Sequence, residues 1–286
     1  MEKENQETRQ HEKKDKKYFD IHPPVFWSSA ILLAVFIAIT LLVGDPMEQV
    51  FTSIQNWISG NFGWFLVLIV NVYLVFTLFF AFSKYGKIRL GGKGAVPEFS
   101  RGAWFAMLFS AGMGIGILFW SVAEPVFHFS QPPQGEMESI RAAQTAMKTT
   151  FLHWGLHAWA IYTLVGLALA FFSFNRDMPL AFRSVFYPLL GDKVYKWPGD
   201  VIDVLAVLAT LFGLATSLGL GVKQVSAGFS HLFHTTDNLQ TQVILIASIT
   251  GAATISVISG LEKGVKKLSE MNINLGAVML GFILIL

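Results

Sequence analysis

Three glycines at alternate positions stand out in the stretch Ser110-Ala111-Gly112-Met113-Gly114-Ile115-Gly116. Each glycine weakens a helix by roughly 1 kcal/mol relative to alanine and leaves backbone carbonyls uncovered. Broken membrane helices offer such carbonyls to a coupling ion, and their ends to a substrate carboxylate. Gly112 and Gly116 also fit a close helix-packing face, whereas Gly114 lies on another face and favours unwinding. We therefore expect a departure from regular helix here, with packing through small residues as the alternative.

Three aromatic side chains in a later apolar segment form a second candidate site. Trp154, Trp159 and Tyr162 cover an arc of about 140° if the helix is continuous, and the last two lie near the middle of the segment. An indole N–H or a phenol O–H at that depth needs a partner. One use is an aromatic cage for a quaternary ammonium group, which is recognised by cation–π attraction. Aromatic packing between helices is the alternative, and spacing alone favours it.

Other polar side chains in the apolar segments fit hydrogen bonding better than metal binding. His153 and His157 are one helical turn apart, but a metal site needs a further ligand, so we expect interhelical or water-mediated hydrogen bonds. Thr210, Thr216 and Ser217 have two interpretations. Their hydroxyls bind backbone or neighbouring helices, or they serve as oxygen ligands for a small hard cation.

The sequence shows no pattern of a catalytic site. Glu124 and Asp203 are the carboxylates nearest to the apolar segments, and both lie at segment ends, where we expect structural or gating roles. The absence of cysteine excludes a thiol nucleophile and a Cys-ligated metal. No nucleophile–base pair, phosphate-binding loop or His-Glu-x-x-His motif is present. We predict that the protein is not an enzyme and has no cofactor.

The composition indicates a membrane protein. Hydrophobic residues make up 53% of the 286 residues and charged residues only 14%, whereas a soluble domain carries about 25% charged residues. A net charge of +2 without a basic patch argues against nucleic-acid binding. Residues 1–24 form a polar, solvated tail. The bilayer is therefore the expected environment of the rest of the chain.

Seven apolar segments fit membrane helices, apart from the brevity of the last. They are about Val25–Val43, Phe62–Phe82, Ala103–Ala123, Phe151–Phe174, Val201–Gly221, Thr241–Ile258 and a segment that begins at Asn272. The last one has too few residues before Leu286 to cross a bilayer, so we expect the chain to be part of a larger protein. Met47–Ser59 and Glu136–Met147 have the pattern of amphipathic helices lying on the membrane surface.

The distribution of basic residues predicts the orientation of these segments. Eighteen of the 21 Lys and Arg residues lie in the tail and in the second, fourth and sixth connections. Connections rich in Lys and Arg stay on the cytoplasmic side. We therefore predict a cytoplasmic N-terminus and an outward-facing loop around Pro132-Pro133.

Taken together, the motifs of the third, fourth and fifth segments resemble the betaine/choline/carnitine transporter family. The matching residues are Gly112-Met113-Gly114-Ile115-Gly116, Phe119, Glu124-Pro125, Trp154, Trp159, Tyr162, Ala209-Thr210-Leu211-Phe212-Gly213, Ser217-Leu218-Gly219-Leu220-Gly221, Ser259-Gly260-Leu261-Glu262-Lys263-Gly264, Leu268-Ser269 and Asn272. Their order and spacing hold across nearly all of residues 21–286. The methionine in the glycine stretch resembles the sodium-coupled, betaine-type members.

This resemblance implies an all-α polytopic membrane protein with the inverted-repeat (LeuT-like) transporter fold. The family has twelve spans, in which two leading helices precede a pair of five-helix repeats. Residues 1–24 would be the cytoplasmic tail, and residues 25–102 the two leading helices with a surface helix and a basic cytoplasmic loop. Residues 103–286 would be the first repeat with its last helix incomplete, so we expect a chain truncated before the second repeat. The family likeness also suggests a homotrimer in the bacterial inner membrane.

The resemblance also implies which residues bind. Substrate contacts are expected at Trp154, Trp159 and Tyr162, with Gly112, Met113, Gly114 and Gly116 opposite them and Phe119 as an aromatic gate. Backbone carbonyls of Ser110 and Met113 would face one sodium ion. A second proposed sodium site in the family uses two threonines one turn apart. Thr210 matches the first, but the second position is Leu214, which offers no side-chain oxygen.

These expectations combine into one function. We predict a symporter that imports a quaternary ammonium osmolyte such as glycine betaine, with sodium as the coupling ion, for protection against osmotic stress. The alternatives are proton-coupled or exchange transport of choline or carnitine, and an inactive membrane fragment of such a transporter.

Overall fold

The computed structural model describes residues 21–112, 116 and 119–285, and within these ranges every regular element is helical. The α-helices are α1 Pro23–Val43, α2 Pro46–Phe82, α3 Arg101–Gly112, α4 Ser121–Ser130, α5 Ile140–Trp154, α6 Leu156–Ala170, α7 Phe182–Val185, α8 Tyr187–Leu190, α9 Trp197–Phe233, α10 Leu239–Ile258 and α11 Lys266–Ile285. Short 3₁₀ turns cover Lys84–Lys87 and Gly191–Tyr195, and π-helical turns cover Phe171–Asn175 and Leu261–Val265.

Six stretches of helix in the part of the chain described are long and apolar enough to cross a membrane. They are Pro23–Val43, Pro46–Phe82, Ile140–Asn175, Trp197–Phe233, Leu239–Ile258 and Leu261–Ile285. These correspond to six of the seven predicted segments, which confirms the prediction of an all-α polytopic membrane protein. The remaining segment, Ala103–Ala123, is divided between α3 and α4, and residues 113–115 and 117–118 lie outside the described residues.

The surfaces of these helices also fit a membrane. At most 11% of the residues in any of the six apolar windows are buried. The buried apolar side chains are all small: Ala103, Ala106, Ala142, Ala146, Ala160, Val194 and Val222. Transfer of one Leu, Ile or Phe side chain out of water is favourable by about 1.5–3 kcal/mol. Exposed apolar side chains in such number therefore favour a hydrocarbon environment over water.

Met47–Ser59 is not a separate surface helix, contrary to expectation. It is the first part of α2, which runs unbroken from Pro46 to Phe82. Gly60 is tolerated inside a helix at a cost of only about 1 kcal/mol. The side chain of Asn61 donates a hydrogen bond to the Trp57 carbonyl within the same helix. Nothing at this point therefore ends the helix.

The second predicted surface helix also extends beyond its predicted end. Glu136–Met147 contributes its later residues to α5, which begins at Ile140 after Ser139. The Ser139 hydroxyl oxygen accepts a hydrogen bond from the Ala142 N–H, as an N-cap does. The helix then runs past Met147 to Trp154.

The predicted continuous helix through Phe151–Phe174 is interrupted at Gly155. Helix α5 ends at Trp154 and α6 begins at Leu156. Gly155 has an extended ψ of −151°, and a Cβ built on it would lie 2.3 Å from the Phe151 carbonyl oxygen. Only glycine fits this geometry. The predicted 140° arc is therefore wrong for Trp154, which is not on the same regular helix as Trp159.

The described residues form two compact units, one of residues 21–54 with 181–209 and the other of residues 55–180 with 210–285. A buried arginine organises the first unit. Arg183 donates to the carboxylate of Asp203 from both its backbone N–H and Nε, and its Nη2 donates to Asp200 at 2.8 Å. His22 Nε2 lies 2.7 Å from the same Asp200 oxygen. Asp203 thus has a structural role, as expected.

The charge of Arg183 is well supported by this network. Burial by itself lowers the pKa of the guanidinium, but hydrogen bonds and charge attraction from Asp203 and Asp200 outweigh that effect and raise the pKa above its usual value. Truncating one partner of a buried ion pair is strongly destabilising because it leaves an unpaired charge. The pair therefore holds the segment before α9 in place.

In the second unit, α4 packs against α5 and α3 packs against α11. The second contact includes a hydrogen bond of 2.8 Å from Asn272 Nδ2 to Ser110 Oγ. Buried alanines such as Ala103 and Ala106 let α3 approach its neighbours closely. These contacts place the end of α3, where the glycine stretch begins.

Candidate functional site

A buried carboxylate on α4 is the centre of the candidate site. Glu124 is only 5% exposed. Trp154 Nε1 donates to Glu124 Oε2 at 2.6 Å, and His153 Nδ1 lies 2.9 Å from both carboxylate oxygens. His128 Nε2 is 3.7 Å from Oε1. A carboxylate is costly to bury without partners, and His153 and Trp154 at the end of α5 supply them.

The ring of Trp154 occupies the space in front of Gly116. A Cβ built on Gly116 would lie 2.8 Å from one carbon of this ring and 3.2 Å from the next. The indole is held by its bond to Glu124 and has little freedom to move away. A glycine at position 116 thus allows the ring to approach the backbone, which supports the packing interpretation of this residue.

Trp159 and Tyr162 form an open aromatic pair on α6. Their ring centroids are 5.9 Å apart at an interplanar angle of 45°. The two side chains are 41% and 69% exposed. Trp159 Nε1 donates to the Trp154 carbonyl oxygen at 3.1 Å. The structure therefore links all three predicted aromatics, with Trp154 packed against the backbone and the other two exposed.

The glycine stretch departs from α-helical geometry at Gly116. Helix α3 is described as far as Gly112, where it is still α-helical, and Gly116, Phe119 and Trp120 have π-helical geometry. Met113 and Gly114 lie outside the described residues. π-Helical turns inside α-helices occur frequently at functional sites. The expected departure from regular helix is thus seen at Gly116.

Two further features belong to the same unit as the aromatics. Phe119, the predicted gate, is 38% exposed and makes an edge contact with Trp120 at 5.2 Å. An open apolar cleft of about 580 Å³ lies beside the break at Gly155, lined by seven residues between Met147 and His157. The three predicted cage aromatics do not line this cleft. The cleft and the aromatic pair are therefore separate surfaces of the second unit.

The predicted sodium ligands lie on different elements. Ser110 is near the end of α3, where its hydroxyl accepts the hydrogen bond from Asn272. Thr210 lies in α9, and Met113 falls outside the described residues. Thr216 donates to the Phe212 carbonyl of its own helix. The hydroxyl of Thr216 thus follows the backbone-bonding interpretation, and the sodium site stays a prediction.

The two histidines make interhelical hydrogen bonds, as expected. His153 binds Glu124, and His157 Nε2 lies 3.4 Å from the Asn71 side-chain oxygen on α2. Gly155 separates the two histidines onto different helices. Among the residues that the structure describes, no group of three or more His, Cys, Asp or Glu residues is arranged to hold a metal ion.

The bond between Glu124 and Trp154 was not predicted from the sequence. Two signals pointed towards it, because an indole N–H at membrane depth needs an acceptor and Glu124 is a carboxylate close to an apolar segment. Pairing them requires knowing that α4 packs against α5. The contact of Trp154 with Gly116 depends on the same packing.

Comparison with known proteins adds to this geometry. The family model for betaine/carnitine/choline family transporters matches residues 24–286. The glycine betaine transporter of Acinetobacter baylyi is 45% identical over 271 residues, which are 95% of this chain and 41% of that protein. Glycine betaine transporter 1 of Vibrio parahaemolyticus is 47% identical, over 92% of this chain and 51% of that protein. The high-affinity choline transport protein of Escherichia coli K12 is 42% identical, over 92% of this chain and 39% of that protein.

The chain spans about half, or less, of the length of these relatives. The match nevertheless runs through all the helices described above. It contains the third segment with the π-helical Gly116, and also Glu124 and the linked aromatics. The chain belongs to the betaine/carnitine/choline transporter family.

Proposed function

We propose that this chain forms part of a symporter that imports a quaternary ammonium osmolyte of the glycine betaine type, with sodium as the coupling ion. The open pair of Trp159 and Tyr162 beside the Trp154 carbonyl carries the proposal. A trimethylammonium group has no N–H to donate, and two exposed ring faces attract it through cation–π interaction. The names of the matched relatives agree with such a substrate.

The glycine stretch of the third segment is assigned to the other end of the substrate and to the ion. The π-helical Gly116 faces Trp154. Irregular backbone at membrane depth is tolerated where it is buried in protein or lines a cavity. Backbone groups of Gly112, Met113 and Gly114 would meet the substrate carboxylate. Carbonyls of Ser110 and Met113, together with Thr210, would face sodium.

The proposed architecture is the inverted-repeat (LeuT-like) fold in a bacterial plasma membrane. In this proposal α1 and α2 are the leading helices, and residues 103–286 are the first repeat. The packing of α3 against α11 supports it, because it joins the first and last helices of that repeat. A homotrimer completes the proposal. No enzymatic activity is proposed, since the matched relatives are transporters.

Choline is the second candidate substrate, because a relative named for choline transport is 42% identical. Glycine betaine and choline share the trimethylammonium group and differ in the group at the other end. Proton coupling is the corresponding alternative to sodium. The aromatic pair would serve either substrate, so the ion and the second functional group must be tested directly.

An uptake assay tests the proposal. Because the relatives are about twice as long, the assay uses the complete open reading frame, expressed in cells that lack their own osmolyte transporters. We expect accumulation of radiolabelled glycine betaine that requires external sodium. Uptake should be lost when the sodium in the buffer is replaced by potassium, which is used instead of choline because choline is itself a candidate substrate. Uptake of choline driven by a proton gradient alone would support the second candidate. Accumulation of neither compound would contradict the proposed function.

The orientation is tested by labelling single cysteines, which this Cys-free chain permits. We expect a cysteine at Gln134 to react with an impermeant maleimide in intact cells and a cysteine at Gln6 to react only after permeabilisation. The basis is the excess of Lys and Arg in the tail and in the even-numbered connections. Labelling of position 6 but not of position 134 in intact cells contradicts the predicted topology.

A further inference from the structure

The predicted substrate-binding aromatics are connected to a buried carboxylate by consecutive hydrogen bonds. Glu124 Oε2 accepts from Trp154 Nε1 at 2.6 Å, and the Trp154 carbonyl accepts from Trp159 Nε1 at 3.1 Å. The Trp159 ring then lies 5.9 Å from that of Tyr162. The two hydrogen bonds meet at Trp154, one at its indole and the other at its backbone carbonyl. A change at Glu124 therefore reaches Trp159 only by moving Trp154 as a whole residue.

The helix break makes the second hydrogen bond available. The last carbonyls of an α-helix have no partner within that helix, and Trp154 is the last residue of α5. Its carbonyl takes the indole N–H of Trp159 from the first turn and a half of α6. The break at Gly155 thus ties the position of the Trp159 ring to that of Trp154.

The first hydrogen bond is short, and both of its partners are confined. Trp154 Nε1 lies 2.6 Å from Glu124 Oε2. His153 Nδ1 contacts both oxygens of the same carboxylate and limits its rotation. The indole of Trp154 is also confined on its other side by the backbone at Gly116. Glu124 consequently holds this ring in one orientation.

We propose that Glu124 is a positioning residue for substrate binding, which anchors Trp154 at the end of α5 and so fixes the place of the backbone carbonyl that binds Trp159. This proposal rests on the proposed function, because it assumes that the aromatic pair binds the substrate. Glu124 does not itself touch the substrate. It acts by limiting how far the rings that do so can move.

The experiment compares Glu124→Ala, Glu124→Gln and Trp154→Phe in the complete transporter. Glutamine keeps an oxygen acceptor but loses the charge, and phenylalanine keeps a ring but loses the N–H donor. We expect Glu124→Ala to raise the KM for glycine betaine roughly tenfold, the size expected when the Trp154 indole N–H loses its hydrogen-bond acceptor. Glu124→Gln should have a smaller effect. Glu136→Ala, an exposed carboxylate in the same unit, is the matched control and should leave KM unchanged.

A spectroscopic measurement separates this proposal from the proposed function. In tryptophan-labelled protein, the indole ¹⁵N–¹H signals of Trp154 and Trp159 are assigned by their loss in Trp154→Phe and Trp159→Phe. We expect Glu124→Ala to shift both signals, whether or not glycine betaine is transported. If the alanine variant does not fold, the same shifts are read in Glu124→Gln, where they are smaller.

Two results would overturn the proposal. One is a Glu124 variant that folds and leaves the indole signal of Trp159 unchanged. The other is additivity, in which Glu124→Ala and Trp154→Phe together raise KM by the product of their separate effects. Coupled residues instead give a double variant little worse than one single variant. Absence of uptake in the wild type would contradict the proposed function alone, since the spectra still report on the hydrogen bonds.

Discussion

Replacing Gly116 with alanine is expected to lower glycine betaine uptake by about tenfold or more. The added Cβ would lie 2.8 Å from a ring carbon of Trp154, closer than two carbons can approach, and the indole cannot simply move because Glu124 holds its N–H. Overpacking at a tight site costs about 1–3 kcal/mol, and each 1.4 kcal/mol is a factor of ten. Initial uptake rates at saturating and subsaturating substrate measure the effect.

Gly166→Ala is the matched control for this substitution. Gly166 is also helical, in α6, and a Cβ built there meets nothing within 4 Å. We expect this variant to express and transport like the wild type, because alanine is the better helix former. Normal uptake by Gly116→Ala would show that the Trp154 ring has room to retreat and would contradict the close contact described here.

Trp159→Ala is expected to weaken glycine betaine binding by roughly 30-fold. A desolvated cation–π contact contributes about 2 kcal/mol, which corresponds to that factor in the dissociation constant. Trp159→Phe should lose less, because a phenyl ring keeps part of the attraction. Binding to the purified complete transporter is measured by equilibrium dialysis with labelled substrate.

The comparison of the two variants separates binding from packing. The Trp159 side chain is 41% exposed, so its removal should leave the yield and the thermal stability of the folded protein close to those of the wild type. If Trp159 serves only to pack helices, the alanine variant will instead be lost as misfolded protein. Two well-expressed variants that both bind glycine betaine like the wild type would refute the cage.

The linked aromatics divide into a fixed part and an open part. Trp154 is held by Glu124 and by the backbone at Gly116, whereas Trp159 and Tyr162 present exposed rings. A binding site benefits from this division, because rings whose positions are already limited lose less conformational freedom when a ligand arrives. The two substitutions above test one part each.

The sequence by itself determined the class of protein and most of its helices. The length of an apolar run shows whether that run can cross a bilayer, and this length is visible in the sequence. Six of the seven predicted segments lie in stretches of helix that are long enough. The family motifs were also readable, because their order and spacing belong to the chain itself. Interhelical or water-mediated hydrogen bonds were predicted for His153 and His157, because a metal site needs a further ligand that the sequence does not offer.

Helix boundaries were decided by contacts that the sequence does not display. The surface helix predicted over Met47–Ser59 is continuous with the second span, since a single glycine does not end a helix. Helix α5, by contrast, does end before Gly155, which takes an extended conformation and lies too close to the Phe151 carbonyl for a residue with a Cβ. Gly60 lies inside a helix and Gly155 follows the end of one. The residue type is the same at both positions, and only the surrounding structure distinguishes them.

Only the tertiary structure decided how the site residues meet. Glu124 and Trp154 are 30 positions apart, and their bond exists because α4 packs against α5. The same packing brings the Trp154 ring against Gly116, where a residue with a Cβ would clash with the ring. Sequence patterns report the polarity and spacing of residues along one helix, whereas the partner of a buried polar atom depends on which helix lies beside it and at what height.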